Sequence, residues 1–165
     1  MGLIKKSKNV TTAERDLVKR LTKKCIKEIV KAKWEITGPN SKRLTMADVW
    51  DKLYLKIKCK GQRSYGGENY LCIDVARFRK GNTFVHEYAR IKNDPVIGEM
   101  EFATPEDALM LTVAHEVAHM IHYNYWDTTR WLRNGDNTPH GQNWQKIYRI
   151  LRRELVNTNK ARLAA

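Results

Sequence analysis

His115-Glu116-Val117-Ala118-His119 places two imidazoles and a carboxylate within five consecutive positions. Residues four apart on an α-helix are displaced by about 40° and roughly 6 Å along the axis, so both imidazoles point the same way and can share one metal ion. Glu116 projects beside that ion, where it can take a proton from an activated water. Chance is a poor explanation: with five His and ten Glu in 165 residues, about 0.01 occurrences of HExxH are expected. The surrounding stretch is apolar, and His and Glu on the core side of such a helix carry a desolvation cost that a metal relieves.

A catalytic zinc keeps three protein ligands and one open position. The longer signature HExxHxxGxxH fails, because His122 and Tyr125 stand where its Gly and third His belong. Third-ligand candidates are His140, His122, Asp127, Asp136 and Glu154. His122 lies seven residues from His115, at the wrong height to close a tripod, and Glu154 follows Arg152 and Arg153, where an ion pair accounts for it. His140 comes after a polar loop and ahead of a helix, free to fold back onto the metal, and is the strongest of the five. For an oxyanion, Tyr123, Tyr125, Arg130 and His122 are all available, and the sequence does not choose among them.

Positioning these groups requires a scaffold. Thr104-Pro105-Glu106-Asp107 is a helix start, with Pro at the first helical position and acids at the positive end, and the helix should reach about residue 125. Thr11-Thr12-Ala13-Glu14 reads as a capping box opening a helix to about Trp34, and Gly141 to Val156 forms the last helix. Thr45-Met46-Ala47-Asp48 opens a short helical turn. Alternation of Leu53, Leu55, Ile57 and Cys59 with Tyr54, Lys56, Lys58 and Lys60 predicts a strand with a basic outer face. Residues 70–78 and 83–91 predict two more strands, with turns at Gly66-Gly67 and Gly81, and residues 93–102 read as loop.

Charge is uneven as well as large. The formal net charge of +13 divides into +8 over residues 1–34, +4 over 35–63, −5 over 64–129 and +6 over 130–165. Basic ends can attract a polyanion by neutralising phosphates. The expected contacts are Arg15, Lys19, Lys23, Lys27 and Lys31, stepping along the first helix, and Arg149, Arg152 and Arg153 on the last. Cys25, Cys59 and Cys72 form no CxxC pair and read as small core residues in a reducing compartment. No apolar run approaches the roughly 20 residues of a membrane span, and no apolar segment follows the basic residues 1–8 as in a secretory signal. A soluble, cytoplasmic protein is expected.

Together, residues 112–119 and Pro139-His140-Gly141-Gln142-Asn143-Trp144 resemble the SprT-like metallopeptidases, the family that includes the eukaryotic Spartan proteases. That resemblance implies an α+β, minimal zincin-like domain over residues 12–156: an N-terminal helix, a small three-stranded sheet, the HExxH helix and a C-terminal helix. Residues 1–11 become a basic extension and 157–165 a tail. It implies one Zn2+ per chain held by His115, His119 and His140, with Glu116 catalytic and Trp144 as the family's aromatic after the His-Gly. Family members act on proteins associated with or crosslinked to DNA, so a protein substrate near nucleic acid is implied as well. Two features depart from the pattern: the interval from His119 to His140 is long, with Trp126, Trp131 and Arg133 in it, and the CxxC ribbon of many bacterial members is missing. DNA contact is therefore expected from the basic helices themselves. The rival class is a non-catalytic nucleic-acid- or protein-binding module with a structural zinc. Glu116 argues against it, because a purely structural site needs no carboxylate beside the metal.

Overall fold

Thr11 starts the first helix as the capping box requires. Its hydroxyl accepts from the Glu14 N–H at 3.1 Å while the Glu14 carboxylate accepts from the Thr11 N–H at 2.8 Å. The computed structural model describes residues 2–36, 44–85, 97–98, 100–125 and 139–163. Helix α1 (Thr12–Lys31) buries Val18, Leu21, Cys25, Ile26 and Ile29 along one face and ends in a 3-10 turn, Lys33–Glu35. The short α2 (Met46–Lys52) is capped by the Thr45 hydroxyl on the Asp48 N–H.

Four strands form one mixed sheet in the order β1-β2-β4-β3. Strands β1 (Leu3–Lys6), β2 (Tyr54–Lys58) and β4 (Tyr70–Asp74) run parallel, and β3 (Tyr65–Gly67) joins β4 antiparallel. Register pairs Leu55 with Leu71 and Ile57 with Ile73 on the inner face, all fully buried. Each such side chain contributes on the order of 2 kcal/mol by leaving water. On the outer face Tyr54, Tyr70 and Tyr65 stack, with centroids 5.3 and 5.4 Å apart.

After β4 come the short α3 (Ala76–Arg79) and a two-stranded sheet of β5 (Phe84–Val85) and β6 (Met100–Glu101). Helix α4 (Pro105–Tyr125) begins where Thr104 caps the Asp107 N–H, and α5 (Gln142–Leu163) closes the chain. Packed against α1, α5 and the sheet, α4 is the centre of the molecule. Among the described residues no helix is long and apolar enough to cross a membrane. Cys25, Cys59 and Cys72 are free thiols, the first and last of them buried.

The α+β architecture is the expected one, with differences in detail. Leu3–Lys6, read as part of a basic extension, pair with β2 as an edge strand, and Gly2 packs so closely on Trp50 and Leu53 that a Cβ would strike their carbonyl oxygens. The main sheet thus has four strands where three were expected: β1 and β3 join it, Gly66 and Gly67 belonging to a strand and not to a turn, while the third expected strand pairs in the separate two-stranded sheet. The strand expected over residues 70–78 stops at Asp74, whose carboxylate accepts the N–H groups of Lys60, Gly61, Gln62 and Ala76 and turns the chain into α3. Of the strand expected over residues 83–91, Phe84–Val85 is present and residues 86–91 lie outside the described residues. Its partner β6 falls in the stretch read as loop. Helix α5 continues past Val156 to Leu163.

Candidate metal centre

Helix α4 is mostly apolar and buries Glu116, His119 and His122 inside the protein. His115 and His119, one turn apart, bring their Nε2 atoms each to 3.1 Å from Nε2 of His140, which precedes α5. Tetrahedral zinc with Zn–N distances of 2.0–2.1 Å separates neighbouring ligand nitrogens by about 3.3 Å. His140 therefore stands at metal-ligand spacing from both, and all three donors lie within 4.8 Å of one another. His140 is tied down by Gln145, whose Nε2 donates to the His140 carbonyl at 2.9 Å.

Trp144 is fully buried, and its ring lies 4.7, 5.2 and 4.6 Å from the rings of His115, His119 and His140, with Tyr148 stacked behind it at 4.8 Å. Rings packed on a common wall cannot rotate away, so the site is preorganised. Burial, and then the neighbouring imidazoles, push His115 well below the ordinary histidine range and His119 down to about 3. Both rings are thus held neutral, the form that donates a lone pair to a metal. The donor set fits the implied ion: three imidazoles suit zinc and lack the oxygens that calcium or magnesium demand.

Glu116 is buried beside this triad, and burial raises its carboxyl to about 8 against the opposing pull of a hydrogen bond from the Gly66 N–H. Gly66 was missed as a site residue. Strand β3 crosses α4 so closely that a Cβ at Gly66 would run into the Glu116 carbonyl and press on the His119 side chain. A Gly-Gly pair just ahead of a predicted strand is a signal that could have revealed it, since such glycines can mark a close approach of another backbone.

Other sequence candidates separate. Glu154 pairs with Arg153 at 2.7 Å and stays away from the triad, and His122 is buried elsewhere on α4. Tyr123 lies against the His119 ring at 6.4 Å, whereas Tyr125 is buried and its hydroxyl pushed up by burial. Asp127, Asp136, Arg130, Trp126, Trp131 and Arg133 lie outside the described residues.

The basic residues separate too. On α1, Arg15 pairs with Asp16 at 2.8 Å and Lys31 with Glu28 at 2.9 Å, while Lys23 sits 4.8 Å over the Trp50 ring. Lys27 is exposed and Lys19 half-buried, neither in an ion pair among the described residues. On α5, Arg152 is 5% exposed with its guanidinium over Tyr148, so a phosphate cannot reach it as expected. Arg153 is held by Glu35 at 2.7 Å, and Arg149 is half-buried. Comparison with family models, with curated proteins and with solved structures returned no match to this chain.

Proposed function

We propose that this chain is a zinc-dependent endopeptidase of the SprT-like kind. The observation that carries the reading is the convergence of three imidazoles, their ligand nitrogens all within 4.8 Å of one another, with the buried Glu116 carboxyl next to them. When bound, zinc supplies a Lewis acid that polarises a carbonyl and acidifies water. His115, His119 and His140 would hold it. A cation held by the three imidazoles would offset the burial that raises the Glu116 carboxyl to about 8. Once ionised, and oriented by the Gly66 N–H, Glu116 would take a proton from water and deliver it to the leaving amine. The edge strand β3 supports a peptide substrate, since an extended chain can pair with a sheet edge beside Glu116. Elemental analysis after zinc reconstitution, joined to a proteolysis assay of wild type and Glu116→Gln, tests the reading. One equivalent of zinc in both proteins and cleavage by wild type alone is the expected result. Less than about 0.2 equivalents of zinc sinks it.

We further propose that cleavage takes place close to nucleic acid. Support comes from the net charge of +13 and from Lys19, Lys23 and Lys27 on the same side of α1.

A further inference from the structure

Beside His115 and Glu116 a cavity of about 710 Å³ runs along the N-terminal half of α4. Its chemistry is two-sided. Phe78, Phe84 and Leu109 give it an apolar wall, and Arg63 and Arg77 line it as well. Asp74 also faces the cavity, but the backbone N–H groups of Lys60, Gly61, Gln62 and Ala76 already occupy its carboxylate. Neither arginine makes an ion pair or a side-chain hydrogen bond among the described residues. Two planar cations with no ion-pair partner among the described residues, on the wall of a partly apolar cavity that ends at the candidate centre, match an anion attached to an apolar group.

We infer that this cavity selects the substrate, taking a peptide in which a carboxylate lies close to an apolar side chain. Arg63 and Arg77 bind the carboxylate through charge-assisted hydrogen bonds, and Phe78, Phe84 and Leu109 receive the apolar side chain. The inference rests on the peptidase reading and gives it a substrate class. The carboxylate can belong to an Asp or Glu side chain or to the peptide's own C-terminus.

Fluorescence anisotropy with the zinc-loaded Glu116→Gln chain tests this without turnover. Three fluorescein-labelled nonapeptides of Gly, Ser and Leu serve as probes: one with a central Asp and an amidated C-terminus, one with Asn in its place, and the Asn peptide with a free C-terminus. At least one acidic peptide should bind about tenfold more tightly than the amidated Asn peptide. A gain confined to the first assigns the pocket to side chains, and one confined to the third assigns it to chain ends. Adding Arg63→Ala and Arg77→Ala should abolish the preference and leave the amidated Asn peptide within about twofold, since both arginines are exposed and their loss leaves the core intact. Equal affinities for all three peptides, absence of binding, or a preference that survives the double substitution would overturn the inference. Cleavage by the zinc-loaded wild type is scored separately. Turnover without acid preference removes the pocket and keeps the peptidase, whereas acid-selective binding without turnover does the reverse.

Discussion

Helices α1 and α4 pack on one another and are almost equal in length, 20 and 21 residues, yet they place their polar groups in opposite ways. At its surface α1 pairs several of its charges, Arg15 with Asp16 and Lys31 with Glu28 within the helix and Arg20 with Glu106 of α4. Each of those groups has water as an alternative partner, so each pair contributes little, about 0–1 kcal/mol. By contrast α4 buries Glu116, His119 and His122 in an apolar interior where water is no alternative. A polar group there must be satisfied by another group, by a ligand or by an ion. Position relative to solvent, more than residue type, therefore separates the groups that act from those that solubilise.

The sharpest way to break the comparison is to remove one polar group from each setting. On α4, Glu116→Gln should lower kcat by about 10²–10⁴-fold at unchanged zinc content, because a nearly isosteric amide cannot accept the proton. His119→Ala should bind less than about 0.2 zinc equivalents, and added zinc, which should raise the Tm of the wild type, should leave that of the variant unchanged. On α1, Arg20→Ala should leave zinc content and kcat unchanged, since its partner Glu106 is exposed.

Backbone gives a second contrast of the same kind. Gly66 and Gly67 are neighbours in β3, but a Cβ at Gly66 would meet the Glu116 carbonyl whereas one at Gly67 would meet nothing within 4 Å. Gly66→Ala should therefore destabilise the protein by about 2 kcal/mol, the cost of forcing a helix and a strand apart. It should also lower activity at full zinc occupancy by displacing Glu116. Gly67→Ala should stay within about 0.5 kcal/mol of wild type. Urea denaturation of both variants measures the difference.

What the sequence showed and what it hid follow the same division between local and long-range causes. The HExxH spacing, the Thr11 and Thr104 caps and the His140 candidate were legible because helical periodicity, capping and ligation impose rules on neighbouring residues. Leu3–Lys6 carry no such rule: four residues without alternation become a strand only through parallel pairing with β2, some fifty positions away. Gly66 looked like a turn because glycine disfavours strands, and the reason for it, the close crossing of α4, is tertiary. Arg152 looked like surface because a charged residue is usually exposed, while its long stem allows it to lie buried against Tyr148. The cavity beside the site was illegible for a related reason. Arg63, Arg77, Phe84 and Leu109 come from four separate segments that only the folded chain brings together.

Glu14 lies between the two extremes, since it is on α1 but only 8% exposed. Its carboxylate receives Arg79 at 2.6 Å as well as the Thr11 N–H, and the Arg79 hydrogen bond holds its pKa down at about 2. A carboxyl whose folded pKa is depressed stabilises the protein above its unfolded pKa of about 4.5, and that contribution disappears as pH falls toward 2. Glu14→Gln should thus cost about 1–3 kcal/mol at pH 7. The difference between variant and wild type should shrink steadily between pH 4.5 and pH 2, followed by Tm. A difference independent of pH would mean that the capping geometry matters and the charge does not.

The smallest structural effect and the most direct test of the basic face come from the same variant. Lys19, Lys23 and Lys27 step along one side of α1, Lys19 half-buried and the other two exposed, and Lys23 lies over the Trp50 ring. Replacing all three with Glu should change stability by no more than about 1 kcal/mol, mostly through that cation–π contact. Zinc content and peptide cleavage in the absence of DNA should not move, because the triad and the cavity belong to other elements. DNA affinity should fall for every sequence alike, single- or double-stranded. On duplex DNA the slope of log K against log salt should flatten by about 3, as each lost phosphate contact releases about 0.9 fewer counterions. An unchanged slope, or binding that is undetectable in wild type at low salt, would make this face a solvated one like the rest of α1. Neither result would touch the candidate metal centre, whose His115, His119 and His140 lie on α4 and ahead of α5, away from this face.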